Sequence, residues 1–184
     1  TLFFAAQSGI KLSNRLLKWM LFSATLIAVY GVLQSFGVDF MQDSNFIGLP
    51  VTAGMFNQNF LGSYLVLILP ISVYLFLNDQ KYNYLFAYSV LFYVFLGTMT
   101  RGAWLGFIFS IITLLVFILL RYIKFENLGR NSIILMITTL ITIALFSLWN
   151  NNVLLERFLS IYWDANNLVN GNQIELVGSY RGLI

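Results

Sequence analysis

The sequence of 184 residues contains neither His nor Cys. Imidazole bases, thiolate nucleophiles and the commonest zinc ligands are therefore missing. Chemistry must rest on arginines, amides, hydroxyls and carboxylates. The carboxylates make no convincing metal site, because Asp39 and Asp43 have no third acidic neighbour and no Asp-x-Asp pair occurs. We expect no metal and no cofactor, so an anionic substrate, if one is bound, must be neutralised by arginine.

The first block that suits such a ligand is Thr98-Met-Thr-Arg-Gly-Ala-Trp104. A guanidinium such as Arg101 matches a phosphate or carboxylate through bidentate hydrogen bonds. Its position alone leaves two readings open, a ligand contact or a side chain snorkelling to lipid headgroups. Thr100 stands beside it. Gly102, Gly106 and Ser110 follow at a spacing of four and predict a small-residue stripe for close helix packing.

The second block is Gly54-Met-Phe-Asn-Gln-Asn-Phe-Leu-Gly62. Asn57 and Asn59 flank a predicted helix start, where unpaired backbone N–H groups and the helix dipole favour an anion. Capping explains one Asn, whereas three consecutive amides point to a polar site. Pro70 further along is expected to kink that helix. The third block is the tail, with Glu156-Arg-Phe158 and Gly178-Ser-Tyr-Arg-Gly182, which adds Arg157 and Arg181.

The elements that must position these residues follow from composition. Hydrophobic residues make up 59% of the chain and charged residues 9%, against roughly 25% charged in a soluble domain. Mean hydropathy is +0.82. Aromatic residues reach 17%, and Tyr and Trp favour the membrane interface. Charge-free stretches long enough to cross about 30 Å of hydrocarbon predict an all-α, polytopic transmembrane bundle. Its helices are expected at 19–36, 62–77, 84–99, 103–120 and 132–149. Leu155, Phe158, Leu159 and Tyr162 share one helical face, followed by Trp163, which predicts a short amphipathic helix at the outer interface. There is no internal repeat and no ten-residue alternation of the kind a membrane barrel would show. Thr1 is not an initiator Met, and we expect the 184 residues to be the middle of a longer protein.

Lys and Arg set the orientation. Lys11, Arg15, Lys18, Lys81, Arg121, Lys124 and Arg130 fall on one side, which is expected to be cytoplasmic. Arg101, Arg157 and Arg181 fall on the other, with Asp39, Asp43, Glu156, Asp164 and Glu175. Residues 38–61 and 150–184 should then lie on the outer face of the cytoplasmic (inner) membrane, with 150–184 as the start of a large outward loop. Three arginines that oppose the usual charge bias need another reason to be outside.

These features, in this order, resemble the O-antigen ligase and O-antigen polymerase superfamily of bacterial envelope glycosyltransferases. The resemblance covers about residues 45–184 and is carried by Gly54–Pro70, Thr100–Leu105, Glu156–Phe158 and Ser179–Arg181. It implies transfer of a glycan from undecaprenyl pyrophosphate to an acceptor, which could be lipid A core, another repeat unit or a protein. In that case Arg101 and Arg181 would be catalytic through electrostatics. Arg157, Asn57, Asn59 and Thr100 would help to bind substrate. The resemblance also implies metal independence and a catalytic His in the large outer loop. This chain has no His, so the general base is expected beyond it and the segment alone should be inactive. Membrane lipids are expected partners and nucleic acid is not.

Two other classes are distinguishable. A transporter or flippase-like component of polysaccharide export needs polar or broken helices near the bilayer midplane, whereas polarity here gathers at helix ends. A purely structural subunit leaves the outward arginines without a role.

Overall fold

A computed structural model describes residues 14–38, 40, 49–120 and 127–150. It also describes Val153, Leu154, Glu156, Leu159, Ser160, Tyr162, Trp163 and Asn166. Among the described residues five continuous helices follow one another: α1 (Asn14–Ser35), α2 (Gln58–Asp79), α3 (Tyr82–Gly97), α4 (Arg101–Leu119) and α5 (Leu128–Trp149). No strand occurs among the described residues, so the protein is all-α as its composition requires. α1, α2, α4 and α5 are each long and apolar enough to cross a membrane. Together they are compatible with a multi-pass membrane protein.

Each helix begins two to five residues before the start expected from charge-free runs. Arg15 and Lys18 lie within α1, Arg101 opens α4, Gly129 and Arg130 lie in the first turn of α5, and Asp79 closes α2. Charged side chains at helix ends reach water or a partner by snorkelling, so a charge does not end the helix. α3 instead stops early, at Gly97 rather than at 99. With 16 residues it spans about 24 Å at 1.5 Å per residue. Thr98, Met99 and Thr100 then form a buried, non-helical connection, which hydrocarbon would not tolerate but a protein interior does. Pro70 lies inside α2, which continues through it.

The chain divides into two compact units, Thr1–Ile143 and Ala144–Ile184. In the first, α2 is the central helix, packed on α1, α3 and α4, while α3 also packs on α1. Phe92 and Phe95 of α3 meet Phe107 of α4 with ring centroids 5.8 and 5.3 Å apart. Tyr88 of α3 shares a 2.9 Å hydrogen bond with Thr139 of α5. Outward faces stay apolar, as at Leu105, Ile108, Phe109 and Leu119 of α4, which suits lipid and not water.

Polar contacts gather at the helix ends. At one end Lys18 pairs with Asp79 at 2.7 Å, and Tyr84 and Asn78 donate to the same carboxylate at 3.1 and 2.8 Å. Arg130 donates to Gln80 at 3.3 Å there. The opposite end carries the close of α1, the turn 49–57, the start of α2, the close of α3 and the start of α4.

In the second unit, Asn150 donates through both its backbone N and its Nδ2 to Phe146 O, each at 3.0 Å. The described positions between Val153 and Asn166 are helical. Tyr162 and Trp163 meet edge to face at 6.1 Å and are exposed. Leu155 and Phe158, on which the expected amphipathic face also depends, lie outside the described side chains.

Candidate functional site

The turn before α2 is built on left-handed backbone. Ala53 (φ 47), Gly54 (φ 75) and Phe56 (φ 57) all have positive φ, a conformation that costs non-glycine residues of order 1–3 kcal/mol and clusters at functional sites. Asn57 (φ −142, ψ 123) then caps α2, its Oδ1 accepting from Asn59 N at 2.8 Å. The first of the three amides is thus a capping residue. Asn57 and Asn59 are both exposed. Gln58 differs: its Oε1 is buried, with no hydrogen-bond donor among the described residues. The run of amides was legible, but which one turns inward is set by the helix register that Asn57 fixes.

The connection from α3 to α4 is built on another left-handed residue, Met99 (φ 53). Thr98 Oγ1 donates to Phe95 O at 2.8 Å, which leaves it to accept from the Thr100 hydroxyl, also at 2.8 Å. Thr98 and Thr100 are 0% and 5% exposed. The structure therefore places Thr100 inside, its hydroxyl spent on Thr98, where it supports Arg101. Arg101 is the first residue of α4 and is half-buried.

These two connections touch. A Cβ built on Gly62 would collide with Thr100 Oγ1 and lie 3.0 Å from Ala103 Cβ. The first turns of α2 and α4 thus lie against each other, both helices starting at the same end. Neither first turn carries an acidic residue. Two positive dipole ends and one guanidinium gather there, an arrangement that favours an anion. The small-residue stripe contributes less than its spacing suggests. Gly106 meets Val66 Cγ1 at 3.4 Å from its ideal Cβ, whereas Gly102 has nothing within 4 Å.

One polar residue at this end lies outside the sequence candidates. Gln34, in the last turn of α1, is fully buried and hydrogen-bonded to Thr52 and Ala53. A lone amide in an otherwise apolar span is the signal that marks it, since such groups are costly in lipid without a partner. Among the described residues no cluster of metal-ligating side chains occurs. Arg157 and Arg181 lie outside the described residues. No protein-family model matches the chain, and neither curated proteins nor solved structures give a significant match.

Proposed function

We propose that the protein is a membrane glycosyltransferase of the O-antigen ligase type. It transfers a glycan from undecaprenyl pyrophosphate to an acceptor on the outer face of the cytoplasmic membrane. One observation carries this proposal: Gly62 and Thr100 are in contact. The two sequence blocks that resemble the superfamily are about forty residues apart in the chain, yet they form one structure with Arg101 at its edge. The end bearing Lys18, Lys81 and Arg130 is cytoplasmic by the charge bias of membrane proteins, so the Arg101 end faces outward.

In the transfer, the acceptor hydroxyl attacks the anomeric carbon of the lipid-linked sugar. The bond from that carbon to the phosphate oxygen breaks, and its electron pair leaves with the pyrophosphate. The amino ends of α2 and α4, with Arg101, offset the charge that grows on the leaving group. Arg181 is the second cation in this proposal, Arg157 an auxiliary one, and Asn57 and Asn59 offer amides to the sugar or the phosphate. The acceptor proton goes to the general base, which the resemblance implies is a His of the large outer loop, a residue type these 184 residues lack. Whether the acceptor is lipid, glycan or protein decides between ligase and polymerase.

The test replaces Arg101 and Arg181 by Ala, singly, in the intact protein in its native membrane. Loss of glycan transfer with normal insertion is expected for both. Undiminished transfer by both variants would overturn the proposal. Binding of labelled undecaprenyl pyrophosphate separates transferase from exporter, because only the former should lose pyrophosphate affinity with Arg101→Ala.

A further inference from the structure

Backbone that leaves the helix inside a membrane protein must find partners for its N–H groups within the protein. The turn 51–57 has three local or neighbouring solutions. Val51 N donates to Gly97 O at 2.9 Å, Met55 N to Thr52 O at 3.0 Å, and Asn57 N to Met55 O at 2.7 Å. Two more depend on a single side chain from another helix. Thr52 N and Ala53 N both donate to Gln34 Oε1, at 3.0 and 2.9 Å. Gln34 Nε2 donates in return to Thr52 Oγ1 at 3.1 Å.

Two successive backbone N–H groups aimed at one oxygen form a small anion-like cradle. Here the left-handed Ala53 (φ 47) turns the chain at that point. Gln34 fills the cradle with a neutral oxygen and is 0% exposed. Just before it in α1, Gly31 brings the helix close, its ideal Cβ lying 3.1 Å from Val51 Cγ1 and 2.9 Å from Val94 Cγ1. A larger residue at 31 would push Gln34 away from the turn.

We infer that Gln34 is a positioning residue for the Arg101 end of the protein. Its carboxamide fixes the turn 51–57, and through the Asn57 cap it sets where the first turn of α2 meets Thr100 and Arg101. The consequence for glycan transfer rests on the proposed function, whereas the ordering of the turn does not.

Hydrogen–deuterium exchange of the intact protein in lipid nanodiscs tests both parts, with Gln34→Leu and Gln34→Glu compared with the parent. Leu removes the acceptor. Glu, as carboxylate or carboxylic acid, presents an oxygen at the same reach, and Thr52 Oγ1 can rotate to donate to it. Exchange in the peptide covering 51–57 should rise by about tenfold or more in Q34L, as expected when buried donors lose their partner. It should stay near the parent rate in Q34E, with α3 unchanged in both. Unaltered protection in Q34L, no rescue in Q34E, or an equal rise across α2 and α3 would each overturn the positioning role. Glycan transfer is measured beside Arg101→Ala. A deprotected turn with full transfer, where Arg101→Ala has lost it, overturns the link between turn and site. Full transfer by Arg101→Ala as well counts against the proposed function itself.

Discussion

Gly62 and Thr100 are packed so closely that a Cβ on residue 62 would overlap the Thr100 hydroxyl oxygen. Gly62 needs no unusual backbone torsion in mid-helix, so contact alone explains its lack of a side chain. Gly62→Ala should therefore destabilise the protein by about 1–3 kcal/mol through overpacking, despite the better helix propensity of Ala. Thr100→Ala removes the obstructing oxygen, so the double variant should be more stable than the sum of the single changes. Unfolding in mixed micelles, read as a double-mutant cycle, gives the coupling. An additive cycle would show that the two residues do not press on each other.

At the opposite end, Asp79 holds three partners, Lys18, Tyr84 and Asn78. Removing Lys18 leaves the carboxylate two donors, whereas removing Asp79 strands three at once. Asp79→Ala should lower the melting temperature more than Lys18→Ala does. The Lys18 effect should shrink as salt is raised, because that amine is 40% exposed in its side chain and open to screening. A larger loss from Lys18→Ala, or one insensitive to salt, would contradict this geometry.

The five helices were legible because hydrocarbon thickness and charge depletion are strong constraints, but their ends were not. A charge marks where a side chain must reach water, and Lys18 and Asp79 do so from inside their helices by pairing. The stop of α3 at Gly97 was hidden for a different reason. Hydropathy does not register the left-handed turn at Met99 or the Thr98–Thr100 hydroxyl pair. Glycine spacing also misled, since close packing needs a partner surface: Val66 supplies one for Gly106, while Gly102 has none. Of the candidate site, Arg101 and Asn57 stood out by type and position. Gln34 carried a signal as a lone amide in an apolar span, but its role was not legible, because it depends on a turn eighteen residues away.

Tyr88 and Thr139 join α3 to α5 by a hydrogen bond of 2.9 Å. Hydrogen bonds between helices in a membrane contribute about 0.6 kcal/mol on average and up to about 1.7. Tyr88→Phe keeps the stacked ring against Phe92 and deletes only the hydroxyl, so a loss in that range is expected. Thr139 can also donate to Leu135 O, 2.8 Å away, and Thr139→Val in the Tyr88→Phe background should add little. Reversible unfolding by denaturing detergent gives both numbers. No measurable loss from Tyr88→Phe would mean that the ring, and not the hydroxyl, is the contact.

Arg101 separates charge from geometry. It opens α4 where two helix amino ends meet, so any cation there works alongside the dipoles to attract an anion. Lys restores the charge but not the planar fork of donors. Under the proposed function, a guanidinium that grips the pyrophosphate in two places means that Arg101→Lys should keep much of the donor affinity while losing rate. Arg101→Ala should lose both, with the rate falling by about 10²–10³-fold, the usual effect of deleting one group that stabilises developing charge. Steady-state transfer against varied undecaprenyl-pyrophosphate glycan resolves the two contributions. Equal kcat for Lys and Arg would reduce the role of residue 101 to charge alone, and equal kcat for all three residues would remove it from the reaction.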